Sequence, residues 1–519
     1  MTRVPACIAA VLLMAAGAIT PIAAALPEPV RTDAGLMSGV AGATASVRVF
    51  KGIPFAAPPI GDLRWRPPQA PSKWVGTRAA NSFSANCMQR SAGGGAFPPY
   101  GGDRSAKTMS EDCLYLNVYT AAGSASAKQP VMVWIHGGAW TSGAGAIYEG
   151  EDLAMKGVVV VTVNYRLGVF GFLAHPELTK ESAHHSSGNF ALLDQIAALK
   201  WVQANIAAFG GDPSRVTIFG ESAGSWSVHN LIASPLAAGL FHRAIGESGG
   251  RFAITTTLAQ AEQAGAAFGE TLGAPTLAAL RALPADTVND ARGFTSVSNA
   301  DGWVLPVTMR ASFESGRQND VPVLIGSNAD EGSIFTPADA TGASFRGQVQ
   351  RQFGADADAF LSLYPFESDT EARRAQAHSM RDQTFGWEMR TWARLQTTTG
   401  KAPVFLYYFS HVPPLPNAAW LGAQHGSEIP YAFNWPNGRY GSEVAWTDGD
   451  RKLADRISSY WVNFATTGDP NGRGLPTWRA FDRKNEQAFG IDALEMTPIP
   501  NTPALDFLDA HQGNPRRTR

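Results

Sequence analysis

Gly220-Glu221-Ser222-Ala223-Gly224 sets a serine between two glycines, directly after the strand-like Arg215-Val216-Thr217-Ile218-Phe219 and directly before a helix-like stretch over 225–232. Strand, tight turn and helix is the setting in which a serine hydroxyl is held out as a nucleophile. The turn imposes strained backbone angles, side chains at the flanking positions would clash, and the N-terminus of the following helix favours developing negative charge. Gly246-Glu247-Ser248-Gly249-Gly250 has the same spacing and a strand-like lead-in, but Thr255-Thr256-Thr257 and the glycines before it open a helix poorly. Ser222 is therefore the predicted nucleophile, and Ser248 reads as a buried hydrogen-bonding residue at a strand end.

A serine attacks a carbonyl only when a base takes its proton, and the base needs a carboxylate to orient it. In this class of arrangement the chain order is serine, acid, histidine. His229 and His242 stand too close to Ser222 to come from a separate loop, so His425, in the small-residue run Gly422-Ala423-Gln424-His425-Gly426-Ser427-Glu428, is the predicted base. His411, at the end of the preceding strand, is second. The acid is expected where Val323-Leu324-Ile325-Gly326 runs into Ser327-Asn328-Ala329-Asp330-Glu331-Gly332, and either Glu331 or Asp330 would accept the Nδ1–H. Backbone donors for an oxyanion come from His136-Gly137-Gly138-Ala139-Trp140, where small residues let the backbone approach, and from the N–H of Ala223. This is acyl chemistry through a covalent acyl-serine, and with an unperturbed histidine it should fade below roughly pH 6.5. No metal or organic cofactor is implied.

Those residues need a rigid scaffold, and the chain supplies alternating strand and helix signals. Short β-branched runs at 131–135, 158–163, 216–219, 321–326 and 403–409 read as buried parallel strands. An apolar helix over 190–207 stops at Gly210-Gly211-Asp212-Pro213, the Ala-rich stretch 258–283 reads as helices joined by turns, and a late amphipathic helix spans 453–464. The fold class is α/β, with a large, mostly parallel sheet flanked by helices in one catalytic domain over 26–519. Residues 91–102, with three consecutive glycines and Pro98-Pro99, read as an irregular loop.

The 519 residues are 45% hydrophobic and 17% charged, which excludes an intrinsically disordered chain. Lys and Arg number 42 against 44 Asp and Glu, and no basic stripe is present, which excludes a nucleic-acid partner. Residues 1–25 read as a cleaved signal peptide: Arg3, an apolar stretch over 8–22, and Ala23-Ala24-Ala25 before Leu26. No later segment spans a bilayer. The expected location is secreted or periplasmic. Cys7 leaves with the leader, and the remaining pair, Cys87 and Cys113, is expected to form a disulfide in an exported chain.

Phe50-Lys51-Gly52-Ile53-Pro54-Phe55-Ala56, Glu111-Asp112-Cys113-Leu114-Tyr115-Leu116-Asn117-Val118, Asn164-Tyr165-Arg166 and the run from Phe209 to Gly224 resemble, in order, signatures of the type-B carboxylesterase and cholinesterase family of α/β-hydrolases. The resemblance covers nearly the whole mature chain. It implies Glu331, of an Asp-Glu-Gly segment, as the acid and His425, of a His-Gly-x-Glu segment, as the base. It also implies Gly138, Ala139 and Ala223 as oxyanion donors, a Cys87–Cys113 bridge, Glu221 as a carboxylate supporting imidazolium, and Arg64 paired with Glu111 or Asp112. Cholinesterases hold a quaternary ammonium on a Trp inside the disulfide loop; residues 88–112 contain no Trp, only Phe97 and Tyr100 as aromatics, so choline esters lose their anchor. Trp140, Trp226, Ile334 and Phe335 are candidates for an apolar acyl or alcohol pocket. The implied activity is carboxylic ester hydrolysis of a small molecule. The rival readings are a silent adhesion or binding protein on the same fold, and acyl transfer or amide hydrolysis by the same triad.

Overall fold

Apolar β-branched runs bury both of their faces, and this is what the centre of the molecule does. The computed structural model describes residues 25–90, 108–438 and 444–512. The expected leader, apart from Ala25, and the expected loop at 91–102 with Phe97 and Tyr100 lie outside the described residues. Among the described residues eleven strands form one sheet: β1 (Val40–Ala41), β2 (Arg48–Pro54), β3 (Tyr115–Thr120), β4 (Gln129–Ile135), β5 (Val159–Val163), β6 (Gly211–Glu221), β7 (Arg243–Glu247), β8 (Val323–Asn328), β9 (Val404–Phe409), β10 (Gln487–Gly490) and β11 (Glu495–Pro498). Their spatial order is β11-β10-β9-β8-β7-β6-β4-β5-β3-β2-β1. The pairs from β10 across to β5 are parallel, and both edges are antiparallel. The sheet is therefore mixed, with the parallel strands at its centre.

Alternation along one strand builds two cores. β4 sends Val131, Val133 and Ile135 to one face and Met132 and Trp134 to the other, each at most 1% exposed. The first face is covered by α1 (Phe190–Asn205) and α2 (Ala223–Ala233), the second by α4 (Asp448–Thr467), while α3 (Trp387–Thr399) packs Trp392 into the first core. α4 is longer than its apolar pattern because Thr447 and Asp450 form a reciprocal capping box, which extends the helix into a polar first turn. Helices at 258–271 and 277–282 fill the Ala-rich stretch as expected.

Three links tie the outer segments to this frame. Cys87 and Cys113 are bonded, and closing a loop of about 27 residues is worth roughly 3.5 kcal/mol through the unfolded state. Arg64 grips Glu111 with both its Nε and its Nη2 at 2.6 Å, and its Nη1 reaches the Leu283 carbonyl at 2.8 Å. Arg166, after β5, grips Asp194 of α1 through Nε at 2.8 Å and Nη2 at 2.7 Å, both side chains fully interior. Bidentate geometry of this kind is what lets a buried pair offset its desolvation. No helix among the described residues is long and apolar enough to cross a membrane.

Candidate active site

Parallel strands end together, so residues just beyond them converge. Ser222 lies between the end of β6 and the start of α2 at φ 57° and ψ −122°, a conformation costly for a residue with a side chain. Its N–H donates to the Glu247 carbonyl at 2.8 Å, and its carbonyl accepts from Trp226 N–H at 2.9 Å. The elbow presses against the end of β4: a Cβ at Gly220 would stand 2.5 Å from the Ile135 carbonyl oxygen and one at Gly224 only 2.0 Å from it. Close approach therefore requires both glycines, in agreement with the expectation from sequence.

Beyond β4 the backbone turns with positive φ at Gly138 (103°), Ala139 (53°) and Trp140 (58°). A Cβ at Gly137 would lie 3.2 Å from Ser222 Cβ, so the turn runs alongside the serine. The Gly138 carbonyl closes the turn by accepting from Thr141 and Ser142 N–H at 2.9 and 3.0 Å. No acceptor among the described residues takes the N–H of Gly138 or Ala139. Ala223 N–H, at the first position of α2, has no intrahelical partner either.

His425 Nδ1 and Glu331 Oε2 are 2.5 Å apart, and the other oxygen of Glu331 accepts the Asn328 N–H at 2.8 Å. Asp330 takes a different task. Its carboxylate accepts the Ala423 N–H and its own N–H donates to the Ala423 carbonyl, both at 3.0 Å, so it clamps the histidine loop and does not touch the ring. The alternative histidine, His411, is bonded through Nε2 to Asp450 at 2.7 Å. His425 Nε2 faces Glu221 Oε1 at 3.1 Å, beside Ser222, without a hydrogen bond. Catalytic hydrogen bonds in empty sites are commonly long and tighten around substrate.

Glu247 and Glu428 went unnoticed as site residues in the sequence. Glu221, Glu247, Glu331 and Glu428 are each at most 1% exposed. Glu428 accepts from Ser248 Oγ at 3.4 Å and from the Asn328 side chain, and Glu247 accepts from Trp461 Nε1 at 2.8 Å. Ser248 is thus the buried hydrogen-bonding residue expected. Burial and mutual repulsion raise Glu247 well above the ordinary carboxylate range, and burial together with the Glu331 charge raises Glu428. Burial opposes imidazolium at His425, but the charges of Glu221 and Glu331 outweigh it and raise the ring to about 9. The one sequence signal for Glu428 was its place three residues after His425.

A cavity of about 460 Å³ opens onto Gly138 and Ala139, walled by Met88, Val169, Phe268, Phe294 and Phe335. Phe335 also packs against the His425 ring, centroids 5.3 Å apart, and stacks on Phe385, which lies 4.7 Å from the same ring. Of the other pocket candidates, Trp140 is wholly buried, Trp226 is half-buried, and Ile334 is half-buried without lining this cavity. The bidentate partner of Arg64 is Glu111, not Asp112.

A mixed sheet with a parallel centre, helices on both faces and a strained serine at a strand-to-helix turn defines an α/β-hydrolase. Residues 27–508 match the carboxylesterase family, and the chain belongs to that family of carboxylic ester hydrolases. It is 41% identical to a fumonisin B1 esterase of Sphingopyxis macrogoltabida, over 94% of this chain and 91% of that one. It is also 35% identical to a cocaine esterase of Homo sapiens, over 88% and 87% of the two chains. Against a medium-chain fatty acyl-CoA hydrolase precursor of Anas platyrhynchos the identity is 37%, over 87% and 86%.

Proposed function

We propose that this carboxylesterase is an exported serine esterase working through Ser222, His425 and Glu331. Ser222 Oγ attacks the ester carbonyl while His425 Nε2 takes its proton. The oxyanion is held by the N–H groups of Gly138, Ala139 and Ala223. Collapse expels the alcohol, which takes the proton from His425, and water then repeats the sequence to release the acid and restore the serine. Glu331 orients the imidazole, and Glu221 favours the imidazolium that forms. The observation carrying this reading is the 2.5 Å Glu331–His425 contact directed at the elbow that bears Ser222. Export rests on residues 1–25 as a signal peptide, with 26–519 as the mature domain, and the Cys87–Cys113 bond suits an oxidising compartment. Secreted and periplasmic destinations both satisfy it.

Covalent labelling tests the mechanism: an organophosphate should add once, at Ser222, and abolish hydrolysis of p-nitrophenyl butyrate. A silent binding protein would stay unlabelled. Labelling together with transfer to an added alcohol in preference to water would make the enzyme an acyltransferase.

The pH profile supplies a second test. Imidazole must be neutral to accept the serine proton, and Glu221 and Glu331 raise the His425 pKa, so the acid limb of kcat/KM should fall above 6.5. Glu221→Gln removes one of those negative charges, stabilises imidazolium less, and should move the limb to lower pH by roughly one unit or more. A limb unmoved in Glu221→Gln would remove Glu221 from this role.

A further inference from the structure

A buried cation stands beside the elbow and has no part in the steps above. After β7 the chain crosses the nucleophile turn: a Cβ at Gly249 would stand 2.6 Å from the Ser222 carbonyl oxygen and 2.8 Å from Trp226 Cδ1. Two residues on, Arg251 donates its backbone N–H to His229 Nδ1 at 3.1 Å. Its guanidinium then sits 4.5 Å from the Trp226 ring and 5.0 Å from the Trp140 ring. Trp226 is one helical turn beyond Ser222, and Trp140 is the residue after Ala139 of the oxyanion turn. The cation therefore lies between the element that carries the proposed nucleophile and the one that carries its oxyanion donors.

Arg251 is 7% exposed, and its Nε and Nη2 have no hydrogen-bond partner among the described residues. It forms no ion pair among the described residues, whereas Arg64, Arg166 and Arg390, equally interior, each hold a carboxylate. The acid whose charge it feels, Glu388, directs its two oxygens to the N–H groups of Phe252 and Ala253 at 2.8 and 3.0 Å. Burial pushes the guanidinium down to about 10, the mark of a cation short of a counter-charge. The tryptophan faces attract the charge but accept none of its N–H bonds. A planar fork of donors left open in this way matches a carboxylate. The adjoining cleft is bordered by the polar side chains of Thr256, Ser298, Asn299 and Thr308.

The position also says which part of an ester the carboxylate belongs to. The leaving alcohol must lie at His425 Nε2 to receive its proton, and that ring is bordered by Glu221, Glu331, Phe335 and Phe385. Arg251 contacts Trp140, Trp226 and His229 instead. The acyl group remains bonded to the elbow throughout. We infer that Arg251 receives a carboxylate carried on the acyl group, so that the preferred substrates are half-esters of dicarboxylic or polycarboxylic acids. This inference rests on the Ser222 esterase reading and adds the substrate class to it.

The test compares p-nitrophenyl hemisuccinate and hemiglutarate with their methyl-capped diesters, which keep the shape and lose the charge. Wild type should favour the free carboxylate by tenfold or more in kcat/KM. In Arg251→Gln and Arg251→Met that ratio should fall to one or below. A wild-type ratio of one or less, or a ratio that survives both substitutions, overturns the proposal. If wild type also fails on the capped diesters and on p-nitrophenyl butyrate, the esterase reading itself fails, which is a separate result. Should the variants not fold, wild type alone decides. Glutarate should inhibit p-nitrophenyl butyrate hydrolysis competitively and at least tenfold more tightly than butyrate, with chloride and inorganic phosphate ineffective at the same ionic strength. Equal inhibition by chloride or phosphate would identify a free-anion site and overturn the assignment to substrate.

Discussion

Ser222→Ala is expected to lower kcat/KM for p-nitrophenyl butyrate by on the order of 10⁴- to 10⁶-fold, while Ser248→Ala stays within about tenfold of wild type. The contrast is sharp because the two serines are structural neighbours. β6 and β7 run in parallel with Glu221 paired to Glu247, so the serine after each strand emerges at the same end of the sheet, and both have positive φ, 57° and 55°. The two part ways in the backbone beyond them. Ser222 opens α2 alongside the turn that carries Gly138 and Ala139, the proposed oxyanion donors, whereas Ser248 is wholly buried with its hydroxyl turned to Glu428. Loss of the Ser222 hydroxyl removes the proposed nucleophile. Loss of the Ser248 hydroxyl removes one 3.4 Å hydrogen bond in the glutamate cluster. The measurement is initial rate at saturating and limiting ester for both purified variants, with circular dichroism to confirm folding. Full activity in Ser222→Ala would overturn the assignment, and loss confined to Ser248→Ala would transfer it.

The elements that position this site were legible where one physical signal dominated. Val131-Met132-Val133-Trp134-Ile135 is apolar on both faces because the strand is covered on both, and a run that short and that apolar has few other places to go. Gly220 and Gly224 were legible because a close approach leaves no alternative residue. The antiparallel edges were not: β1, β10 and β11 have two to four residues each and no apolar run to announce them. Glu247 and Glu428 were hidden for a different reason. An acidic residue in a sequence reads as solvated surface, and only the convergence of β6, β7 and the 422–428 loop turns Glu247 and Glu428 inward beside Glu221. Arg251 was missed on the same grounds, since nothing in Gly249-Gly250-Arg251 tells that the chain folds it between two tryptophans.

Asp330 and Glu331 are the case where sequence left two residues open and geometry separates them. Glu331→Gln should cost roughly 10³- to 10⁴-fold in kcat, because an amide cannot balance imidazolium and its N–H₂ group can turn toward Nδ1 and favour the wrong tautomer. Asp330→Asn should cost less than about tenfold in kcat. Its Oδ still accepts the Ala423 N–H, and the expected loss is instead in stability, on the order of 1 kcal/mol for a weakened loop clamp. The two readouts cross: one variant loses rate and keeps its melting temperature, and the other keeps rate and melts earlier. Adjacent residues on a chain point in different directions, so a carboxylate on either was chemically adequate. The difference arises where Asn328 N–H fixes one Glu331 oxygen at 2.8 Å and leaves the other for His425, while the bridge between Asp330 and Gln424 takes the neighbouring side chain out of reach. A variant pair with the effects exchanged would reverse the acid assignment and leave the nucleophile and base untouched.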